Sequence, residues 1–241
     1  MIYLLIPTYN ESLNIQRLYN ELSLINLDEE IHFVFSDDGS SDDTIDLIQS
    51  IFDTNKTTVL KAKQNAGPGN AFNSGFEWIL ENSTNSSDRI VTMEADCTSD
   101  ISILTDLLTI NKLGYNLVLA SVYAQGGGFS KTSFFRKLLS SVANLLFRFA
   151  FNVKVLTLSS FYRVYTVDLI RKVKSKHPQL IKEKGFICML EILLKCIEVN
   201  AKIIEVPMVL NSDKRVGKSK MKTFKTSLTY LKFLFRYKFR K

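Results

Sequence analysis

Cysteine and histidine are scarce in this chain, with three Cys (Cys97, Cys188, Cys196) and two His (His32, His177) among 241 residues. An odd trio of cysteines makes no disulfide framework, and so few Cys and His argue against a zinc site. A reducing, cytoplasmic setting is the simpler expectation. Long apolar runs are missing too. No stretch reaches the roughly 18 residues needed to cross a bilayer, and the nearest approach, LLSSVANLLFRFAF, is broken by Ser140, Ser141, Asn144 and Arg148. The N-terminal MIYLLIPTYNE has no basic leader and no small-residue cleavage pattern, so it reads as a first buried strand instead of a signal peptide. Internal repeats and low-complexity linkers are also absent.

Acidic residues are missing from one end. Lys214 to Lys241 contains eleven Lys and Arg and no Asp or Glu, although the net charge of the whole chain is only +7. The body up to residue 213 is therefore slightly acidic, and the basic character belongs to the tail. Nucleic acid, an anionic membrane surface and a phosphorylated substrate each fit such a tail on charge alone. Its aromatics follow helical spacing and form no stacking platform, which disfavours nucleic acid. With 46% hydrophobic and 23% charged residues, the chain buries a core of one large domain or two small ones, and disorder is excluded.

Short apolar runs alternate with amphipathic stretches over the first 125 residues, the pattern of a parallel sheet with helices on both faces. The expected strands are 2–7, 31–36, 57–62, 89–94 and 116–121. Helical spacing connects the first two through Leu13, Leu18 and Leu22, and the next two through Thr44, Ile45, Ile48 and Phe52. Beyond Gly126-Gly127-Gly128 an amphipathic helix is expected over about 132–151, a second helical region over 179–199 and a strand over 202–209.

Ligands of such sheets sit at the carboxyl ends of the strands, and the residues there are polar and distinctive. Asp37-Asp38-Gly39-Ser40 sets two carboxylates where a ribose or base could be held, with a helix-capping turn as the structural alternative. Pro7-Thr8-Tyr9-Asn10-Glu11 adds an aromatic platform and another carboxylate. Glu94 and Asp96, two residues apart, point to one side and offer the hard oxygen ligands that suit magnesium on a diphosphate; an ordinary acidic loop is the alternative. Cys97 is too soft a ligand for that ion. Asn65-Ala66-Gly67-Pro68-Gly69-Asn70-Ala71 opens a helix, either for close approach to a ligand or as a tight turn.

Arg136, Ser140, Asn144 and Arg148 recur every fourth residue and make a polar seam on an apolar helix. That suits a deep core with paired arginines or a membrane interface receiving a lipid phosphate. Arg215-Val216-Gly217-Lys218-Ser219-Lys220 clusters cations suited to a diphosphate leaving group. Downstream, Met221, Phe224, Leu228, Leu231 and Phe235 form a basic amphipathic helix, fit either for a membrane surface or for packing on the core.

Taken in order, PTYNE, DDGSSDDT, NAGPGNA, EAD, GGG, RKLLSSVAN, SSFYRVY, EVP and RVGKSK resemble the motif series of the inverting GT-A glycosyltransferases of glycosyltransferase family 2. Within them the match is to the polyprenyl-phosphate hexose transferases typified by dolichyl-phosphate mannose synthase, over nearly the whole chain. The resemblance implies an α/β fold of GT-A type: a Rossmann-like, mostly parallel sheet with helices on both faces, and acceptor-side helices at the C-terminal end. Residues 1–125 would form the nucleotide-sugar half and 126–241 the acceptor half of one continuous domain.

By the same resemblance Pro7, Tyr9, Glu11, Asp37 and Asp38 would hold the nucleotide, with Lys220 and Arg215 closing over the donor. Glu94 and Asp96 would hold Mg2+ or Mn2+ and the sugar diphosphate, while Arg136 and Ser140 would receive the lipid phosphate. Asp96 and Arg215 are the expected catalytic pair. The implied reaction moves a hexose from a nucleotide diphosphate sugar, of GDP-mannose or UDP-glucose type, to a polyprenyl or dolichyl phosphate. It would run with inversion, on a protein held peripherally at the cytosolic face of a membrane, and leaves room for a membrane-protein partner. No nucleic acid is implied.

Several positions depart from the family pattern. Val122 stands where an arginine of an S-R-Y pattern is expected, Glu94 where the metal motif begins with aspartate, and Thr98 where a glutamine is often found. Ser141 and Thr157 replace an arginine and an aspartate. Two rivals follow. One is a GT-A transferase acting on a sugar hydroxyl, with Glu183 or Glu191 as base; the other is a non-catalytic membrane-surface adaptor that keeps the fold.

Overall fold

The computed structural model describes residues 1–132, 134–217 and 223–238. A seven-stranded sheet runs through the molecule in the order β3-β2-β1-β4-β7-β5-β8. Its strands are β1 (Ile2–Thr8), β2 (Ile31–Asp37), β3 (Thr57–Lys61), β4 (Arg89–Thr92), β5 (Leu117–Ser121), β7 (Arg163–Thr166) and β8 (Ile203–Pro207). All neighbours pair in parallel except β7, which runs antiparallel to both β4 and β5. A two-stranded parallel sheet, β6 (Gly128–Ser130) with β9 (Val209–Asn211), stands apart.

The near-continuous apolar character of β1 follows from cover on both faces. Successive side chains alternate sides, and the two core clusters divide accordingly. Ile2, Leu4 and Ile6 join Ile15, Leu18 and Leu22 of α1 (Ser12–Ser23), Ile48 of α2 (Thr44–Ile51) and Leu104, Leu107 and Leu108 of α4 (Leu104–Lys112). Tyr3 and Leu5 join the opposite layer, with Phe72, Phe76 and Ile79 of α3 (Pro68–Asn82) and the apolar faces of α6 (Val167–Lys176) and α7 (Cys188–Glu198). Gly75 is needed for this second contact: a Cβ there would lie 2.1 Å from Leu5 Cδ1.

The other two helices are α5 (Phe134–Phe151) and α8 (Thr223–Lys238). They meet through rings, Phe147 against Tyr230 and Phe151 against both Phe233 and Tyr237. Phe233 is buried in the core, and Tyr230, Leu234 and Tyr237 pack against it. α8 thus packs one face, Tyr230, Phe233, Leu234 and Tyr237, on the core, while Phe235 of the expected amphipathic stripe is exposed. Met221 lies outside the described residues, as do the side chains of Phe224, Leu228 and Leu231.

Two expected elements differ. The helical region anticipated over 179–199 is helical only from Cys188. Pro178 and Gly185 punctuate the preceding stretch, and a buried ion pair holds it in an irregular path. Glu191 Oε2 accepts the Lys182 and Glu183 backbone N–H groups at 2.9 and 2.8 Å, and Lys195 Nζ donates to the Gln179 and Leu180 carbonyls and to Glu191 Oε1. The strand expected over 202–209 breaks at Met208, so that β8 completes the large sheet and β9 pairs with β6.

Because β1, β2, β3, β4, β5 and β8 point the same way, the segments that follow them gather along one rim. β7 runs the other way, so the Ser159-Ser160-Phe161-Tyr162 turn before it arrives at that rim as well. The halves 1–125 and 126–241 share this one sheet: Arg163 pairs in register with Thr92 on one side and Leu119 on the other.

Candidate active site

The rim brings together the carboxylates that the sequence singles out after β1, β2 and β4. Asp37 is committed to its own turn. It accepts the Gly39 and Ser40 N–H groups at 3.0 and 2.8 Å and the Thr8 hydroxyl at 3.2 Å, along with the Ser40 hydroxyl. Asp38 reaches the next loop, accepting from the Ala66 and Gly67 N–H groups at 3.0 and 2.6 Å. Burial pushes the Asp38 carboxyl above its ordinary pKa, against the pull of those two donors. The pair thus builds the β2 and β3 loops into a single wall.

Gly67 and Gly69 serve the wall and leave the ligand question aside. Gly67 has a φ of +99°, and Cβ atoms on Gly67 and Gly69 would lie 2.3 and 1.8 Å from the Lys184 and Glu183 carbonyl oxygens. Gly69 N–H donates to Lys184 O at 2.9 Å. NAGPGNA is thus packed against backbone of the acceptor half.

Beyond β4, Glu94 and Asp96 lie close enough to couple. Asp96 Oδ1 accepts from the Thr98 N–H at 3.1 Å and its hydroxyl at 2.6 Å. Asp96 Oδ2 takes both Nε and Nη2 of Arg215, at 2.6 and 2.5 Å. Glu94 Oε2 accepts from Ser99 Oγ at 2.5 Å. Burial, reinforced by the Asp96 charge, pushes the Glu94 pKa up to about 7, well above a free carboxyl. Cys97 is buried, and that burial lifts its thiol to about 12, so it stays protonated beside the two carboxylates.

Glu94, Asp96 and the Thr98 hydroxyl form an oxygen-only donor set that fits a hard divalent ion. Among the described residues no group of three or more His, Cys, Asp or Glu is assembled that could hold a metal ion. Two carboxylates match the small protein share typical of magnesium bound on a diphosphate, so the fit is to an ion shared with substrate.

Arg215 is aimed by contacts that sequence reasoning missed. Asn14, buried on α1, meets the backbone of Val216 twice, Nδ2 to O and Oδ1 from N–H, each at 3.3 Å. The same amide donates to Glu11 Oε2 at 2.6 Å. Arg17 Nη1 donates to Lys214 O at 2.9 Å, and Lys214 Nζ pairs with Glu21 at 3.1 Å. Glu11, expected on the nucleotide, also holds the Asn14 amide. Only one signal pointed here: a buried polar residue, Asn14, on the apolar face of an amphipathic helix.

Pro7 and Tyr9 lie partly exposed on the rim at the end of β1. Ser140 on α5 is exposed and shares a 2.8 Å hydrogen bond with the Tyr123 hydroxyl, whose neighbour Val122 follows β5 directly. Arg136 also lies on α5; its side chain is outside the described residues, and so is Lys220 entirely. Asn144 Nδ2 donates to the Leu156 carbonyl and Arg148 Nη2 to Lys154 O at 3.5 Å. The seam thus anchors the loop after α5. That loop is gripped again by Glu205, which accepts the Leu156 N–H at 2.5 Å and the Thr157 N–H at 2.8 Å.

Arg163 was also missed. It is fully buried and donates to the Ser160, Met189 and Leu158 carbonyls at 2.7, 2.9 and 2.9 Å. A guanidinium satisfied by carbonyls fixes the SSFY turn against α7. Its signal was the lone arginine in an apolar strand, SSFYRVY.

Comparison with known proteins gives consistent results. Residues 3–174 match the family described as Glycosyl transferase family 2. The chain is 27% identical over 219 residues to polyprenol monophosphomannose synthase of Mycolicibacterium smegmatis, covering 90% of this chain and 79% of that protein. It is 29% identical over 241 residues to dolichol-phosphate mannosyltransferase of Pyrococcus furiosus, covering 98% of this chain but only 63% of that longer protein. Glucosyl-3-phosphoglycerate synthase from Mycobacterium tuberculosis, solved with Mn2+ and uridine-diphosphate-glucose, superposes with a TM-score of 0.61 at 16% identity, over 94% of this chain and 74% of that one. S. aureus TarS 1–349 superposes at 0.58 and 20% identity, over 88% and 60%. These structures share the fold.

Proposed function

Because this chain belongs to glycosyl transferase family 2, we propose that it moves a hexose from a nucleotide diphosphate sugar to a polyprenyl phosphate, with inversion at the anomeric carbon. An acceptor phosphate oxygen forms the new bond to that carbon as the nucleoside diphosphate departs from the opposite side. The observation that carries the reading is the Arg215–Asp96 pair on the rim that also holds Asp37 and Asp38. It supports the reading by pairing a cation that can face a leaving diphosphate with a carboxylate that can hold a divalent ion.

Pro7, Tyr9, Glu11, Asp37 and Asp38 line the nucleotide side, with Glu11 also holding Asn14 in place. Asp96 and Glu94 would hold Mg2+ or Mn2+, which supplies positive charge to the departing diphosphate. Manganese in the superposable synthase, which is crystallised with a UDP-sugar, supports such an ion. Arg215 adds a second cation, and Lys220 a third by resemblance. The acceptor needs no dedicated base, because a phosphate monoester with second pKa around 6 is already largely dianionic at pH 7.

The names of the two curated relatives support a polyprenyl phosphate acceptor, placed by Ser140 and Arg136. Transfer to a sugar hydroxyl would need a carboxylate base. Both candidates are engaged: Glu191 in its buried pair with Lys195, and Glu183 with Arg236 at 2.7 Å. The same reading has the protein attached peripherally at the cytosolic face of a membrane. Among the described residues, no helix is long and apolar enough to cross a membrane.

The test is a transfer assay with radiolabelled GDP-mannose and UDP-glucose, offered polyprenyl phosphate or soluble sugars, with Mn2+, Mg2+ or EDTA. Metal-dependent label in the organic phase supports the reading. Label confined to water-soluble glycosides overturns the acceptor assignment.

A further inference from the structure

Between α6 and α7 the chain follows residues 177–187 without forming helix or strand, yet Leu180, Ile181 and Ile187 are buried. Buried backbone outside regular structure needs other partners for its polar groups. Glu191 and Lys195, themselves buried, supply them: Glu191 Oε2 takes the Lys182 and Glu183 N–H groups, and Lys195 Nζ donates to the Gln179 and Leu180 carbonyls. A buried ion pair adds little net stability over an apolar pair of similar volume, because desolvation offsets the attraction. What this pair does is select one path for the backbone.

That path closes on the donor side. The Ile181 N–H donates to Asn73 Oδ1 at 2.9 Å, and the Lys184 carbonyl accepts the Gly69 N–H at 2.9 Å, so the segment is joined to the first turns of α3. At Gly67 and Gly69 the fit leaves no room for a Cβ. The same turn gives Asp38 its partners, the Ala66 and Gly67 N–H groups and the Asn70 side chain. Asp38 therefore stands at one end of a continuous series of hydrogen bonds and backbone contacts that begins at Glu191.

We propose that Glu191 is a positioning residue for the donor: by holding the Lys182 and Glu183 N–H groups it fixes the Gly67–Gly69 turn against Asp38 and sets the affinity for the nucleoside end. The inference rests on the reading that Asp38 lines the nucleotide side. The diphosphate end is served by Asp96 and Arg215, which are held by Thr98 and, through Val216, by Asn14. The two ends thus have separate supports, and Glu191 acts on one of them.

The experiment compares two double variants of the full chain. Glu191→Gln/Lys195→Met keeps an oxygen to accept the two N–H groups, and Glu191→Leu/Lys195→Met does not. Both are uncharged at the pair, and both lose the Lys195 bonds to the Gln179 and Leu180 carbonyls, so their difference isolates the accepting oxygen. Binding of GDP, UDP and inorganic pyrophosphate is measured by calorimetry with Mn2+, and donor KM and kcat by the transfer assay. The Leu variant weakens nucleoside diphosphate binding by about fivefold or more and raises donor KM in step, while pyrophosphate binding and kcat stay within about twofold of wild type. The Gln variant stays within about twofold throughout. Gly69→Ala, whose Cβ would meet the Glu183 carbonyl, reproduces the nucleoside loss with the ion pair intact, which decides the matter even where the Leu variant fails to fold.

Equal nucleoside diphosphate affinity in the two double variants overturns the proposal. So does a parallel loss of pyrophosphate binding, which marks a general disruption of the site. A wild type that binds neither GDP nor UDP overturns the donor reading itself, a result distinct from wild-type binding that the two double variants share unchanged.

Discussion

Arg215 places two guanidinium nitrogens, Nε and Nη2, on the single Oδ2 atom of Asp96, at 2.6 and 2.5 Å. The remaining oxygen, Oδ1, is held by Thr98. The guanidinium thereby compensates the charge of the carboxylate.

Asp96→Ala is expected to lower transfer by about a hundredfold or more while the protein stays folded by circular dichroism. Arg215→Gln is expected to do the same to turnover, and to bind Mn2+ more tightly than wild type in the absence of nucleotide by titration calorimetry. Substantial metal-dependent turnover in Asp96→Ala removes that residue from the reaction.

Glu94 makes stability depend on pH. Its carboxyl holds a proton up to about pH 7 in the fold and only to 4.5 in a free chain. Its stabilising contribution is complete below the lower value and is lost as pH rises through the higher one. In EDTA, urea unfolding of Glu94→Gln should match wild type near pH 5 and exceed it at pH 8, by up to about 3 kcal/mol. The same difference at both pH values contradicts the assignment.

Asn14→Ala cuts both ties to Val216 and the link to Glu11. The 214–216 segment loosens, so trypsin should cleave after Lys214 and Arg215 several times faster than in wild type. Donor KM should rise more than kcat falls, because Arg215 itself remains.

The buried Glu191–Lys195 pair, 2.6 Å apart, offers a double-mutant cycle. Glu191→Gln or Lys195→Met alone is expected to cost about 3–5 kcal/mol by stranding the partner's charge. The double substitution should cost less than the sum of the two. Additive losses in chemical denaturation show that the partners act independently.

The order of the rim was legible in the sequence because strands buried on both faces leave unbroken apolar runs, and the polar segments after them stand out. Strands 2–7, 31–36 and 116–121 were read within one residue of β1, β2 and β5. What escaped was whatever depends on contacts distant in sequence. β7 is only four residues long and carries a buried arginine, so no local pattern marks it as a central strand. α4 and α6 also went unread. The path of 177–187 is set by the Glu191–Lys195 pair, which overrides the helical spacing around it. Acidic motifs announced the donor side, whereas Asn14 and Arg17 act on backbone, and Glu21 on the Lys214 side chain, some two hundred residues away, and leave no mark on their own neighbourhood.

The reversed strand β7 also governs how synthesis can proceed. It closes the gap between β4 and β5 with residues 163–166, so a nascent chain that has delivered β1 to β5 still carries naked edges on both sides of that gap. Those edges stay open until Thr166 has cleared the ribosome, and a chaperone that shields strand edges has its window during that interval. A fragment cut near residue 125 keeps the β4 and β5 edges unpaired permanently, and aggregates where the whole chain folds.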